Sequence, residues 1–318
     1  MNGDKDFRLG ARFFEQRDYE RARIYFERAA QQNNRSALNH LGNLYELGRG
    51  VQQDYERSRG YYERAAEQND SNALYNLGRL YENGRGVQQN YEIAQRYYLR
   101  ATDQNHSYAL YSLGRLYYNG RGVQQDYEMT RYYYERAAEQ NNSSGLNNLG
   151  WLYQNGFGVQ QDYERARRYY ERAAEQNNSY GLNNLGDLYR NGLGVQQDYE
   201  RARGYYERAA EQNDSNALYN LGRLYEYGMG VRQDYERAAV YYERAANLDN
   251  SDALNIIGWL YHNGLGVQQD YVRARGFYVR AVDQNNSYAL NNLGLLYEHG
   301  LDVQQNYKTA IRYFERAA

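Results

Sequence analysis

The sequence contains no cysteine and no proline, and its only lysines are Lys5 and Lys308. Without cysteine there is no disulfide framework, no thiolate metal site and no cysteine nucleophile, a composition that suits a reducing compartment. Long hydrophobic runs are also missing. No stretch approaches 18 consecutive apolar residues, so no membrane span is expected. Met1–Asp6 is polar and has no apolar core of the kind a secretory signal needs, which makes a cytoplasmic location the expectation. A large charge of one sign is absent too: 38 basic residues stand against 40 acidic ones, a net charge of -2. That balance gives no general attraction to nucleic acid or anionic membrane. With proline absent, the punctuation of the chain falls to its 30 glycines, and these are regularly placed.

Gly42, Gly78, Gly114, Gly150, Gly186, Gly222, Gly258 and Gly294 each follow a leucine or isoleucine and recur every 36 residues. Val51, Val87, Val123, Val159, Val195, Val231, Val267 and Val303 keep the same step. A fixed period of this length marks a repeat architecture. Residues 35–318 therefore hold eight 36-residue repeats, the last truncated. Residues 7–34 form a shorter first unit without the Gly-x-Gly-Val insertion, and 1–6 is expected to be a polar tail.

Within a unit, Leu38, Leu41, Leu44 and Tyr45 are spaced for one side of a helix. Gly48 supplies a left-handed residue to end that helix. Asp54 is placed as N-cap of a second helix with Glu56 in its first turn, and Tyr61, Tyr62, Ala65 and Ala66 face back to the partner. Ser71 is expected to cap the next unit's first helix. A lone hairpin cannot bury its apolar face, so the units must stack. The fold class is all-α, a superhelical solenoid of helix-turn-helix repeats.

The run Ala73-Leu74-x-x-Leu77-Gly78-x-Leu80-Tyr81-x-x-Gly84-x-Gly86-Val87, followed by Asn90-Tyr91-x-x-Ala94-x-x-Tyr97-Tyr98-x-x-Ala101, resembles the Sel-one-like repeat, a relative of the tetratricopeptide repeat with a longer loop inside the hairpin. The shorter first unit looks more like a plain tetratricopeptide repeat. The resemblance implies a right-handed superhelix whose first helices line a concave groove, and a role as an adaptor that assembles proteins. The chain departs from the bacterial members whose hairpins carry disulfides. It also lacks the groove lysines with which tetratricopeptide domains hold C-terminal carboxylates.

Comparing the eight repeats separates framework from free positions. The registers of Tyr45, Tyr55, Tyr61 and Tyr62 hold 30 of the 41 tyrosines, and Tyr19 and Tyr25 belong to the first unit. These read as framework, packed between helices. Nine tyrosines remain: Tyr75, Tyr108, Tyr111, Tyr118, Tyr132, Tyr180, Tyr219, Tyr227 and Tyr288. At 100° per residue, all but Tyr132 fall on the first-helix face opposite Leu38 and Leu41, together with Trp151 and Trp259. Tyr, Trp and Arg give large contact area at low entropic cost. Asn147, Asn148, Asn183, Asn184, Asn255, Asn291 and Asn292 crowd the same face, where amides could hold an extended peptide backbone. One register there reads Arg79, Arg115, Trp151, Asp187, Arg223, Trp259. The loop register changes from Arg49, Arg85 and Arg121 to Phe157, Leu193, Met229, Leu265 and Leu301. The expected partner is a protein or peptide with an acidic segment followed by apolar anchors.

No chemistry competes with this reading. His40, His106, His262 and His299 lie in different units without a second ligand at metal spacing. The Gly-x-Gly pairs follow helices and lack the phosphate-loop lysine. No Ser-His-Asp set is identifiable, and neither cofactor, metal nor catalysis is expected. Three other readings remain open. The apolar residues Tyr307, Ile311 and Phe314 suggest self-association through an uncapped end. The near-identity of the units also fits a designed consensus repeat. Aromatic and Arg ladders could stack single-stranded RNA, against which the acidic balance argues. Asn-x-Ser triplets begin at Asn34, Asn69, Asn105, Asn141, Asn142, Asn177, Asn213 and Asn285. They would be glycan acceptors in a secretory compartment, but Asn as loop residue and Ser as helix cap is the favoured reading.

Overall fold

The computed structural model describes residues 2–318, and the described residues form 18 α-helices and no strand. They fall into two compact units, one ending at Gln161 and the other running from Asp162 to Ala318. The first unit holds α1 (Asn2–Glu15), α2 (Tyr19–Gln31), α3 (Arg35–Leu47), α4 (Tyr55–Glu67), α5 (Ser71–Asn83), α6 (Tyr91–Thr102), α7 (Ser107–Asn119), α8 (Tyr127–Glu139) and α9 (Ser143–Asn155). The second holds α10 (Tyr163–Glu175), α11 (Ser179–Asn191), α12 (Tyr199–Ala210), α13 (Ser215–Tyr227), α14 (Tyr235–Asn247), α15 (Ser251–Asn263), α16 (Tyr271–Asp283), α17 (Ser287–His299) and α18 (Tyr307–Ala317). In each unit, first and second helices pair as hairpins, and each second helix also packs on the next first helix.

The expected polar tail is instead helical from Asn2 onward. Its polar residues are tied to the turn between α2 and α3: Asp4 accepts from the Asn34 amide at 3.0 Å and Asp6 from Gln32 at 3.4 Å. Asp4 also lies in the first turn of α1, where the helix dipole favours a carboxylate.

Within each unit the hairpins close on a ring laid against bare backbone. A Cβ at Gly186 would stand 2.6 Å from Cε1 of Tyr206, and the same register puts tyrosine rings on Gly42, Gly78, Gly114, Gly222 and Gly258. Phe26 and Phe314 take that place on Gly10 and Gly294. Tyr62, Tyr98, Tyr206 and Tyr242 are consequently buried to zero exposure. The neighbouring tyrosine of the pair stacks on the first helix, as Tyr61 does on Tyr45 with centroids 5.6 Å apart, an arrangement that adds to area burial.

Turns and caps follow from local chemistry. Gly48 has φ +65°, the left-handed conformation that glycine adopts without a Cβ penalty. Asp54 caps α4, accepting from the Arg57 N–H at 2.9 Å. The second glutamine of the Val-Gln-Gln-Asp loop closes the hairpin from the other side: Gln53 donates to the Glu46 carbonyl at 2.8 Å and to the Tyr55 hydroxyl at 3.0 Å. The first helices are capped one residue earlier than expected. The cap of α5 is Asp70 and not Ser71, and it accepts from the Ala73 N–H at 2.9 Å. Asn34, His106, Asn142, Asn178, Asp214, Asn250 and Asn286 do the same in their repeats. The residue before the cap must be left-handed, and Asn69 (φ 53°) takes that conformation with little strain, as do Asn105, Asn141, Asn177, Asn213 and Asn285. In the six triplets that begin at these residues the Asn-x-Ser spacing is thus the signature of a turn, with a left-handed residue, a cap and a first helical residue, whereas Asn34 and Asn142 are themselves caps.

One class of arginine joins successive hairpins. Arg100 donates to the Ala66 carbonyl at 3.0 Å, Arg208 to Ala174 at 3.0 Å and Arg280 to Ala246 at 2.7 Å. Each caps the C-terminal end of the preceding second helix with positive charge. The open carbonyls of the preceding helix are their acceptors.

Two alanine substitutions in the second unit separate the roles of glycine. Gly186→Ala drives a methyl into the Tyr206 ring and is expected to lower stability by about 1–3 kcal/mol. Gly204→Ala, where nothing lies within 4 Å, is expected to raise it by up to about 1 kcal/mol through helix propensity. Melting midpoints followed by circular dichroism check both signs.

Candidate functional site

The face of the first helices that the sequence singles out carries two kinds of residue, one consumed by the framework and one left on the surface. The division begins at the hydroxyl of the hairpin-closing tyrosines.

In the first unit, Tyr62 donates to Glu46 at 2.9 Å and Tyr98 to Glu82 at 2.6 Å. Both carboxylates are buried, at 2% and 8% exposure. The following repeat covers each with a guanidinium: Arg79 stands 3.3 Å from Glu46, and Arg115 stands 3.3 Å from Glu82. Arg85 adds a second contact to Glu46 at 3.6 Å. Burial, and then the adjacent carboxylate, pushes both phenols above their usual range. An acid buried this deeply needs its counter-charge. Arg79 and Arg115, expected as free positive charges for an acidic partner, are therefore neutralised within the fold.

In the second unit the polarity is exchanged. Asp187 takes the register of Arg79, and Arg190 takes that of Glu46. The pair meets at 3.0 Å, Tyr206 donates to Asp187 at 2.8 Å, and Arg190 donates to Asn220 at 2.7 Å. Burial raises the Asp187 carboxyl and Arg190 opposes that rise. Farther along, Tyr242 donates to the buried Glu226. His262 occupies the glutamate register in the next repeat but stands edge-on to Tyr271, with centroids 5.3 Å apart. The Tyr278 hydroxyl is consequently buried without a partner. Arg223 lies over Tyr219 and Tyr227, at 6.0 and 5.8 Å from the two centroids, and makes no ion pair among the described residues.

The asparagines bond largely to one another. Asn76 donates to Asn39 at 3.0 Å, Asn220 to Asn183 at 3.0 Å and Asn292 to Asn255 at 2.9 Å, each across a repeat boundary. Asn147 and Asn183 are buried, Asn148, Asn184, Asn255 and Asn292 are half-buried, and only Asn291 of the expected seven is exposed. A ladder of free amides for a peptide backbone is not what these positions present.

The aromatic residues behave differently. Tyr108, Tyr180, Tyr227 and Tyr288 are 57–69% exposed and Trp259 is 38% exposed. Tyr75, Tyr111, Tyr118, Tyr219 and Trp151 are half-buried. In the first unit they gather in two groups: Tyr75 stacks on His106 at 4.8 Å and touches Tyr108 at 6.0 Å. Burial lowers the affinity of His106 for a proton, which suits its role as a neutral cap accepting the Ala109 N–H. Tyr118 meets Trp151 edge-on at 5.5 Å, and Trp151 stacks on Phe157 at 5.1 Å. Phe157, Tyr127 and Tyr134 were not among the expected site residues. Phe157 was noted only as a change of loop residue, and the two tyrosines occupy registers that are framework elsewhere.

Stacked helix-turn-helix hairpins with a row of aromatic residues along their first helices define an α-solenoid repeat protein. The chain belongs to the Sel1 repeat family, whose model matches residues 4–34, 35–70, 71–106, 107–142, 143–178, 179–214, 215–250, 251–286 and 287–318. The first hairpin is matched as well, although it lacks the inserted loop. A protective antigen present in uropathogenic Escherichia coli strains, displaying an SLR fold, is 32% identical, with TM-score 0.75 over 99% of this chain and 68% of the other. A Sel1 repeat protein from Oxalobacter formigenes is 32% identical, with TM-score 0.70 over 76% of this chain and 96% of the other. Human IFIT1, solved as a dimer with m7Gppp-AAAA, shares the fold alone at 14% identity and TM-score 0.53, over 97% of this chain and 79% of the other. No curated protein sequence matches. The Sel1 repeat commonly mediates protein–protein interaction. Among the described residues, no helix is long and apolar enough to cross a membrane.

Tyrosine-to-phenylalanine changes are expected to sort the hairpins by the fate of the hydroxyl. Tyr98→Phe leaves the buried Glu82 short of a donor and is expected to cost about 1–3 kcal/mol. Tyr278→Phe removes an orphaned hydroxyl and is expected to leave stability unchanged or higher. Thermal melts of the two single variants decide it.

Proposed function

We propose that this chain is a non-catalytic scaffold that holds an extended segment of a partner protein along the aromatic face of its first helices. The observation that carries the reading is the exposure of Tyr108, Tyr180, Tyr227, Tyr288 and Trp259 on a register face that hairpin closure does not use. The tyrosines that do close hairpins are buried. Large rings left in water on one face are the residue types that dominate protein–protein hot spots. The partner contacts are Tyr75, Tyr108, Tyr111, Tyr118 and Trp151 in the first unit, and Tyr180, Tyr219, Arg223, Tyr227, Trp259, Tyr288 and Asn291 in the second. Arg223 is the groove arginine that can offer its charge to a partner, since Arg79 and Arg115 are spent on Glu46 and Glu82. The partner is a protein segment whose anchors are apolar.

Affinity capture from the native source tests this, with wild-type protein compared with the Trp151→Ala, Trp259→Ala double variant. Both side chains are partly exposed, so the variant is expected to keep its helicity and melting midpoint. It should lose a protein that wild type retains, with affinity falling at least roughly tenfold on the scale of a lost hot spot. Identical capture by both proteins contradicts the reading.

A further inference from the structure

Three register positions meet at successive junctions of the first unit: the hairpin tyrosine, the residue at the Glu46 position, and the residue of the next repeat at the Arg79 position. At the first two junctions they are Tyr62, Glu46 and Arg79, then Tyr98, Glu82 and Arg115, each a phenol, a buried carboxylate and a covering guanidinium. At the third they are Tyr134, Tyr118 and Trp151. The acid and its counter-charge have both been replaced by rings. Tyr118 lies edge-on to Trp151, which is held flat against Phe157 (interplanar angle 10°), and Phe157 rests on Tyr127 at 5.1 Å. No carboxylate reaches Tyr134. Its oxygen accepts from the Asn148 amide at 3.2 Å, so its own proton is left to donate. Among these same positions lies an open cavity of about 230 Å³, lined by Tyr118, Tyr134, Asn147, Asn148, Trp151 and Leu152.

We propose that this cavity seats one uncharged, carbonyl-bearing side chain of the bound peptide, a glutamine, whose oxygen accepts the Tyr134 O–H much as Glu46 and Glu82 accept those of Tyr62 and Tyr98. The inference rests on the groove reading above. The chain itself supplies the precedent for the acceptor, because two neighbouring junctions place a side-chain oxygen on the equivalent hydroxyl. The lining supplies the charge selection. It contains no Lys, Arg, Asp or Glu, and the guanidinium whose field reaches Tyr134, that of Arg115, is already paired with Glu82, so a glutamate here would lack a guanidinium of its own and a lysine would lack an acid; a buried unpaired charge is strongly disfavoured. An aliphatic side chain would fill the space between the rings but leave the Tyr134 proton without an acceptor. The volume is below the range of about 300–1,000 Å³ typical of small-molecule sites, which suits a single side chain. The ring stack of Tyr118, Trp151 and Phe157 fixes the walls before a ligand arrives, so little ordering is required on binding.

Selection from a random peptide display library tests this on the full chain. Three immobilised proteins are compared: wild type, Tyr134→Phe, and the double variant Tyr118→Glu, Trp151→Arg, which rebuilds the ion pair of the neighbouring junctions and is expected to fold. Wild type should retain peptides enriched in glutamine at one position, by about tenfold over glutamate and leucine, the ratio a single hydrogen bond to an otherwise unpaired group sets. Tyr134→Phe should still retain peptides but lose the preference for glutamine over leucine, and the rebuilt junction should lose the enrichment. Peptides retained by wild type with no such preference, or with one that Tyr134→Phe leaves intact, overturn the glutamine subsite and leave the groove standing. Retention of no peptide by wild type overturns the groove reading itself, and the subsite with it.

Discussion

The structure depends on a tyrosine ring lying on a glycine. With a side chain at Gly186 the two helices of its hairpin could not approach closely enough to bury Tyr206, and with a smaller residue in place of the tyrosine the notch over the glycine would be empty. Interiors tolerate neither overlap nor void cheaply. The contact recurs on one register within each compact unit, so hairpin geometry is reset from repeat to repeat there. What varies on the first helices varies without moving the backbone that carries it.

The same ring links the framework to the surface. Its edge is sealed inside the hairpin, but its hydroxyl emerges at the first-helix face and must be satisfied there. Most junctions answer with a polar side chain, and the choice decides what the face presents. A glutamate under an arginine, as at Tyr62 and Tyr98, spends both charges internally. An Asp187–Arg190 pair does the same with the polarity reversed. Where rings take both places, as at Tyr118 and Trp151, the hydroxyl is answered by an amide and a cavity remains. A surface can thus be diversified by exchanging the partners of one buried hydroxyl, with the hairpin left alone.

Much of this was legible in the sequence because it is encoded locally and repeated. The period, the helical spacing of Leu38, Leu41 and Leu44, the left-handed Gly48 and the Asp54 cap each follow from a few adjacent residues. The aromatic face was legible for the same reason, since a helix of known register fixes which residues share a side. Pairings between repeats were not legible. Arg79 reaches Glu46 across 33 residues and Asn76 reaches Asn39 across 37, offsets that miss the 36-residue period in opposite directions. A single helix plotted by itself shows those residues as free. The choice of Asp70 over Ser71 as cap was also hidden, because both residue types cap well and only the left-handed turn at Asn69 sets the register. The cavity beside Trp151 had a signal that went unused: three departures from the repeat, at Tyr118, Trp151 and Phe157, fall together in two adjacent units.

The most direct test of this account is the exchange rate of individual tyrosine hydroxyl protons, resolved by nuclear magnetic resonance on selectively labelled tyrosine. Hydroxyls donated to buried or half-buried carboxylates, those of Tyr62, Tyr98, Tyr206 and Tyr242, should exchange slowly and resonate well downfield. Those of the exposed Tyr108 and Tyr288 should exchange too fast to observe. Rapid exchange at Tyr62 and Tyr98, indistinguishable from that of the exposed rings, would contradict the claim that the hairpin tyrosine links the framework to the face that carries the proposed binding site.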